Sequence, residues 1–307
     1  MLIKGADLLV EGSTSIARNL KISYLVIGLT VVAFGTSSPE LFVNIIASVK
    51  GNPAIAIGNV IGSNIANIFL ILGVSSIIFP LSLPKGTVWK EIPLSLLAGL
   101  LLGVLINDQL IDKSGISALT RIDGLVFISF FIIFIYYSFS IAKNIEGMSE
   151  HIPTKQYGLI KSFLLVITGL VGLGLGAKWI VDGAIHIALT MGVSQSLVGL
   201  TLVAVSTSLP ELTTSVVAVC KRHTEIAVGN VVGSNIFNIF FVLGISSIVK
   251  PLSFQAKNNV DISVLILANL LLFIAMFTGK KHLLDRWEGI LFIILYVSYI
   301  AFIIVRG

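Results

Sequence analysis

Two glutamates sit inside apolar sequence, each directly after a proline: Glu40 in Thr36-Ser37-Ser38-Pro39-Glu40 and Glu211 in Thr207-Ser208-Leu209-Pro210-Glu211. An ionisable group in such a setting is costly to bury and marks a polar cavity or an ion path. The neighbouring residue types suit a hard cation. Threonine and serine supply hydroxyl oxygens. Proline lacks an N–H and breaks the helix, and carbonyls released by a break must find partners when lipid surrounds them. On this reading the first segment offers Glu40, Thr36, Ser37 and the Ala33 carbonyl, with Gly35 tolerating the dihedrals of the break. The second offers Glu211, Thr207, Ser208 and the Ala204 carbonyl. Ca2+ takes about 6–8 oxygens at roughly 2.3–2.6 Å, and two carboxylates match its charge. Monovalent ions compete for the same oxygens several at a time, and competition for shared ligands is the physical basis of exchange.

A second motif accompanies the first. GNVIGSNIANIFLILG at Gly58–Gly73 returns as GNVVGSNIFNIFFVLG at Gly229–Gly244. Ser63 and Asn67 are four residues apart and share a helix face, as do Ser234 and Asn238; all four are expected to join the ligands. Asn64 and Asn235 point elsewhere and are expected to brace broken backbone. Gly58, Gly62, Gly229 and Gly233 permit close helix approach. Both motifs recur at one offset, 171 residues, without a gap from Gly5/Gly176 to Leu81/Leu252. Arg121-Ile122-Asp123-Gly124 recurs as Arg286-Trp287-Glu288-Gly289 at an offset of 165. The chain is therefore a duplicated unit.

The elements that hold these motifs lie in a membrane. Of the 307 residues 56% are hydrophobic and 11% charged, where a soluble domain carries about 25% charge. The chain reads as an all-α polytopic membrane protein. Apolar runs long enough to span are Leu2–Leu20, Tyr24–Val49, Ile55–Phe79, Val88–Ile106 and Ile122–Ala142, then Leu159–Leu189, Leu197–Cys220, Ile226–Val249, Val260–Phe277 and Trp287–Val305. These predict ten transmembrane helices, five per repeat. Five is odd, so the second copy enters from the opposite side and the repeats are inverted. The N-terminal repeat covers 1–142, a polar linker 143–158, and the C-terminal repeat 159–307. The first helix is short against its counterpart, which suggests a start internal to the gene product. With the linker inside, twelve of the twenty Lys and Arg residues lie on the inner side and seven on the outer; this bias puts both termini outside a cell membrane.

The pI of 9.3 reflects such loops and does not indicate nucleic-acid binding. A single cysteine, Cys220, excludes an intramolecular disulfide and a Cys-rich metal site. Asp7, Glu11, Lys178 and Asp182 read as interfacial or salt-bridged, Asp123 and Glu288 as anchors near helix ends, and His186 as a satisfied core residue.

The paired G-T-S-x-P-E and G-N-x-x-G-S-N-x-x-N motifs closely resemble the α-repeats of the sodium/calcium exchanger family, over nearly the whole chain. The resemblance implies four central helices around the ions, and helices 1 and 6 sliding against them in alternating access. It implies that Glu40 and Glu211 are shared Ca2+ and Na+ ligands, joined by Thr36, Ser37, Thr207, Ser208, Ser63, Ser234, Asn67, Asn238 and the carbonyls of Ala33 and Ala204. Three residues depart from the family pattern: Ser206 replaces a glycine, Ser38 a leucine, and Asn238 stands where potassium-dependent members carry aspartate. The last favours K+-independent exchange.

The function expected is an antiporter exporting Ca2+ against Na+ entry, with no cofactor beyond the transported ions, acting as a monomer in the bilayer. H+/Ca2+ exchange and K+-dependent exchange are the alternatives. An intramembrane hydrolase using Ser37 or Ser208 needs a base within the spans, and His186, the one histidine there, has no repeat mate. A passive channel has little use for paired proline breaks.

Overall fold

The computed structural model describes residues 1–111, 113, 115–142, 156–190 and 207–306. The protein is built from α1 (Leu2–Leu20), α2 (Tyr24–Thr36), α3 (Ser38–Lys50), α4 (Pro53–Ile78), α5 (Lys85–Leu105) and α6 (Arg121–Ile141) in the first half. The second half holds α7 (Leu159–Thr190), α8 (Leu209–Cys220), α9 (Thr224–Val249), α10 (Asn259–Ala275) and α11 (Arg286–Arg306). Among the described residues, α4, α5, α6, α7, α9 and α11 are long and apolar enough to cross a membrane, and α2 with α3 makes a seventh span if counted as one. The chain is thus a multi-pass membrane protein. The ten spans expected do not all appear by this measure. Helix α1 carries Lys4, Asp7, Glu11 and Arg18, α10 has 17 residues, and the first part of the expected span Leu197–Cys220 lies outside the described residues.

The expected proline break is present, two residues before the proline at which the sequence suggests it. Helices α2 and α3 meet at a 44° bend centred on Ser37 (φ −84°, ψ 4°), with Pro39 in the first turn of α3, where its missing N–H costs nothing. Gly35 is helical and has no special dihedral. Its role is close approach: a Cβ there would stand 2.5 Å from a methyl of Leu170 on α7. Ser208 (φ −85°, ψ −1°) repeats the Ser37 geometry ahead of α8.

The two sequence copies share local helix geometry but not glycine packing: a Cβ on Gly229 or Gly233 would meet α2 backbone, whereas one on Gly58 or Gly62, expected to permit close approach, would meet nothing within 4 Å among the described residues. Helices α4 and α9 each turn π-helical after the second motif, over Asn67–Leu72 and Asn238–Leu243. Two short antiparallel ladders, absent from the all-α expectation, tie the halves together. Strand β1 (Leu81–Ser82) pairs with β4 (Leu283–Leu284), and β2 (Ser117–Leu119) with β3 (Leu252–Phe254). Leu81 faces Leu284 in one ladder, and its mate Leu252 faces Leu119 in the other.

Backbone-to-backbone packing at glycines holds the bundle, as expected where lipid removes the hydrophobic drive for helix association. Along α1 and α7, a Cβ on Gly5 would lie 2.6 Å from Leu173 N, and one on Gly169 2.6 Å from Leu9 N. Helix α1 is also tied to the end of α8, where Lys221 pairs with Asp7 and, at 3.4 Å, with Glu11. Asp123 and Glu288 cap helices: Asp123 forms a capping box with Thr120 at the start of α6, and Glu288 accepts a 2.7 Å bond from the Asp285 N–H. His186, expected in the core, is exposed on α7.

Candidate cation site

The two breaks and the two π-helical entries converge. Thr36, Ser37, Glu40, Ser63, Asn67, Thr207, Ser208, Glu211, Ser234 and Asn238 are all at most 5% exposed. Ser37 donates to Glu211 Oε1 at 3.0 Å and Ser63 to Glu40 Oε1 at 3.3 Å. Ser208 reaches Ser63 Oγ at 3.2 Å, and Thr207 lies 3.4 Å from the same atom. The carboxylates are therefore joined to both motifs and to both halves. Each has one oxygen bonded and one, Oε2, buried without a hydrogen-bond partner.

The asparagines divide into two kinds. Asn67 donates its amide to Asn235 Oδ1, and Asn238 donates to Asn64 Oδ1, both at 3.0 Å. Asn64 and Asn235 in turn donate to each other's backbone carbonyl, at 3.1 and 3.4 Å. Their role is to clamp the facing asparagines across the two halves, beyond bracing backbone. With each amide nitrogen donating to this clamp, Asn67 and Asn238 present their Oδ1 atoms, and these are buried and unpartnered. Ser234 Oγ is unpartnered too. Five buried oxygens of this cluster thus lack a partner, and a buried unsatisfied polar atom costs about 1–3 kcal/mol. Such a set is what an oxygen-ligated cation needs.

Two residues that the sequence reading left without a role complete the site. Asn59 Oδ1 accepts from Thr207 at 3.1 Å, and its mate Asn230 Oδ1 accepts from Thr36 at 3.0 Å. Each holds the break of the opposite half. The amides of this pair are fixed in turn, Asn59 on Asn44 Oδ1 at 2.8 Å and Asn230 on Ser215 at 3.1 Å. Both stand in the G-N-x-x-G-S-N string, one turn before the serine, so the signal was the asparagine itself within an apolar helix. The Ala33 carbonyl differs from expectation. It is not released by the break but accepts the Ser37 N–H at 3.0 Å, because the helix continues to Thr36. Ala204 and Ser206 lie outside the described residues.

The sodium/calcium exchanger protein family model matches residues 1–140 and 161–305. The chain belongs to the sodium/calcium exchanger family. Its relatives in this family include the uncharacterized membrane protein MJ0091 of Methanocaldococcus jannaschii, 38% identical over 98% of this chain and 94% of that one. The sodium/calcium exchanger MaX1 of Methanosarcina acetivorans is 32% identical over 98% of this chain and 94% of its own, and the putative antiporter CaxA of Alkalimonas amylolytica 36% identical over 97% and 94%. The fold matches that of the sodium-calcium exchanger NCX_Mj with a TM-score of 0.83 at 38% identity, covering 98% of this chain and 94% of that one. As an exchanger-family fold it has a transporter's architecture, with the polar cluster buried among spans.

Proposed function

We propose that this exchanger-family chain moves Ca2+ across the membrane in exchange for Na+, by alternating access and without K+. The observation that carries the reading is the set of five unpartnered buried oxygens on Glu40, Glu211, Asn67, Asn238 and Ser234. The hydroxyls of Thr36, Ser37, Ser63, Thr207 and Ser208 and the carbonyls of Ala33 and Ala204 complete the proposed ligand set, Ala33 through its second lone pair. Two carboxylates with two neutral asparagines neutralise one Ca2+, and that charge balance favours K+-independence. The names of MaX1 and NCX_Mj as sodium/calcium exchangers support the choice of ions.

In this reading the chain is two inverted repeats, 1–142 and 159–307, of five helices each, joined by a cytoplasmic linker, 143–158, with both termini outside. The α1/α7 pair moves over the site as access alternates. Two interleaved half-sites, each held by an asparagine of the other half, let the halves move relative to one another only as coupled units.

The test is flux of radiolabelled Ca2+ in proteoliposomes with Na+, K+ and H+ gradients imposed one at a time. Flux driven by Na+ alone is expected. Equal flux driven by a pH gradient without Na+, or a strict need for K+, would overturn the proposal in favour of H+/Ca2+ or K+-dependent exchange. Glu40→Gln and Glu211→Gln are each expected to abolish the flux while the protein still folds.

A further inference from the structure

A cavity of about 560 Å3 lies apart from the cation site. It is ringed by helix ends: Ser23 and Tyr24 at the start of α2, Lys85, Gly86, Thr87, Lys90 and Glu91 at the start of α5, Ile141 at the end of α6, and Thr224 and Glu225 at the start of α9. It therefore sits where the helices leave the membrane, on the face from which the linker departs. One wall is α6, whose Tyr136 and Phe139, beside the lining residues Tyr137 and Ile141, are 76% and 69% exposed on the lipid-facing surface. Trp89, at the same level, is exposed and meets Phe273 and Phe277 edge-to-face, and aromatic residues are enriched at a membrane boundary.

The cavity is layered by charge. Its floor holds Thr87, Glu91 and His223, at 0%, 1% and 3% exposure. Thr87 Oγ1, Glu91 Oε2, His223 Nδ1 and, beside them, Glu225 Oε2 are buried without a hydrogen-bond partner. The other oxygen of Glu91 accepts from Tyr137, and Glu225 accepts from the Leu25 N–H. The rim is the reverse, with Lys85, Lys90 and Arg222 at its edge. The Lys90 ammonium stands 5.8 Å from the Tyr137 ring centroid, and the Arg222 guanidinium 4.0 Å from that of Phe79.

The unpartnered carboxylate oxygens of Glu91 and Glu225 suit a donor-rich cation, and the three positive charges on the rim suit an anion. A metal ion answers the floor alone and is repelled at the rim, and no three of the described acidic, histidine and cysteine residues gather to hold one. A simple anion answers the rim alone. A primary ammonium joined to a phosphate by a short linker answers both. We propose that this cavity binds the headgroup of an ethanolamine phospholipid, the ammonium directed at Glu91 and Glu225 and the phosphate held among Lys85, Lys90 and Arg222.

The test compares three lipids that differ by one group at a time, added to the full-length protein in detergent. Phosphatidylethanolamine has N–H donors, phosphatidylcholine has none, and phosphatidylglycerol lacks the amine. Phosphatidylethanolamine is expected to raise the melting temperature most and to bind most tightly by native mass spectrometry. Glu91→Gln with Glu225→Gln is expected to erase its advantage over phosphatidylcholine. Should that variant not fold, Lys85→Ala with Lys90→Ala on the rim is expected to weaken binding by about ten-fold for each positive charge removed. Equal effects of the ethanolamine and choline lipids, an ethanolamine preference that survives the glutamate variant, or binding unchanged in the lysine variant would overturn the proposal. Stabilisation by free phosphoethanolamine equal to that by the lipid would overturn the assignment to a lipid. None of these readouts depends on Ca2+ exchange.

Discussion

Ser37 donates a 3.0 Å hydrogen bond to Glu211, 174 residues further along the chain, whereas Glu40 takes its bond from Ser63 of its own half. The repeat mates Ser208 and Ser234 do neither: Ser208 bonds Ser63, and Ser234 has no partner. The two glutamates are thus equivalent in sequence but not in their hydrogen bonds.

This difference yields a first prediction. Ser37→Ala removes a bond to a carboxylate, worth about 1.5–3 kcal/mol, and takes away a proposed ligand. Apparent Ca2+ affinity should fall at least about ten-fold, read as the KM for Ca2+ in proteoliposomes. An unchanged KM would detach Ser37 from the site.

The asparagine clamp yields a second. Asn64→Leu or Asn235→Leu leaves the amide of Asn238 or Asn67 unpaired and free to turn its Oδ1 away. Transport should fall sharply in either variant, although neither residue is a proposed ligand. Detergent-solubilised protein should still elute as a monodisperse species. Wild-type flux in both variants would show the clamp to be dispensable.

Close packing gives the third. A Cβ at Gly233 would lie 2.6 Å from Leu29 O, and one at Gly229 2.7 Å from Leu25 O. Both neighbours are backbone and cannot turn aside. Gly233→Ala should destabilise the protein by about 1–3 kcal/mol, measured as a lowered melting temperature, and should part α2 from α9.

A fourth concerns pH. His223 lies in the turn between α8 and α9, where burial, then the charges of Lys221 and Arg18, lower its pKa to about 4. The unfolded value is near 6.5, so the folded protein favours the neutral imidazole. The stability this confers is complete above about pH 6.5 and is lost as the pH falls towards 4. Melting temperature should decline over that window in the wild type and decline less in His223→Gln. Parallel curves would remove His223 as the cause.

The fold was legible where composition and repetition speak. Alternation of long apolar runs with short basic loops gave the membrane class, and the repeated Thr-Ser-x-Pro-Glu and Gly-Ser-Asn strings gave the residues that gather in the centre. The break itself was legible in Pro39, but its position at Ser37 was not, because proline is accommodated in the first turn of the following helix. The assignment of Gly35 to unusual dihedrals failed for a related reason: a glycine's sequence cannot separate backbone freedom from a neighbour's close approach, and here Leu170 decides. The β-ladders went unread because two or three residues in a loop carry no periodicity.

Sequence by itself determined the chemistry available: two carboxylates, paired hydroxyls and amides, and apolar surroundings that force them to face one another. Tertiary structure alone decided how that chemistry is wired. Which amide nitrogen is occupied, and so which oxygen is left to bind, depends on contacts between Asn64 and Asn235 and on the cross-half grip of Asn59 and Asn230. These are relations between residues about 150 positions or more apart. They follow from how two packed halves meet, and no local spacing encodes them.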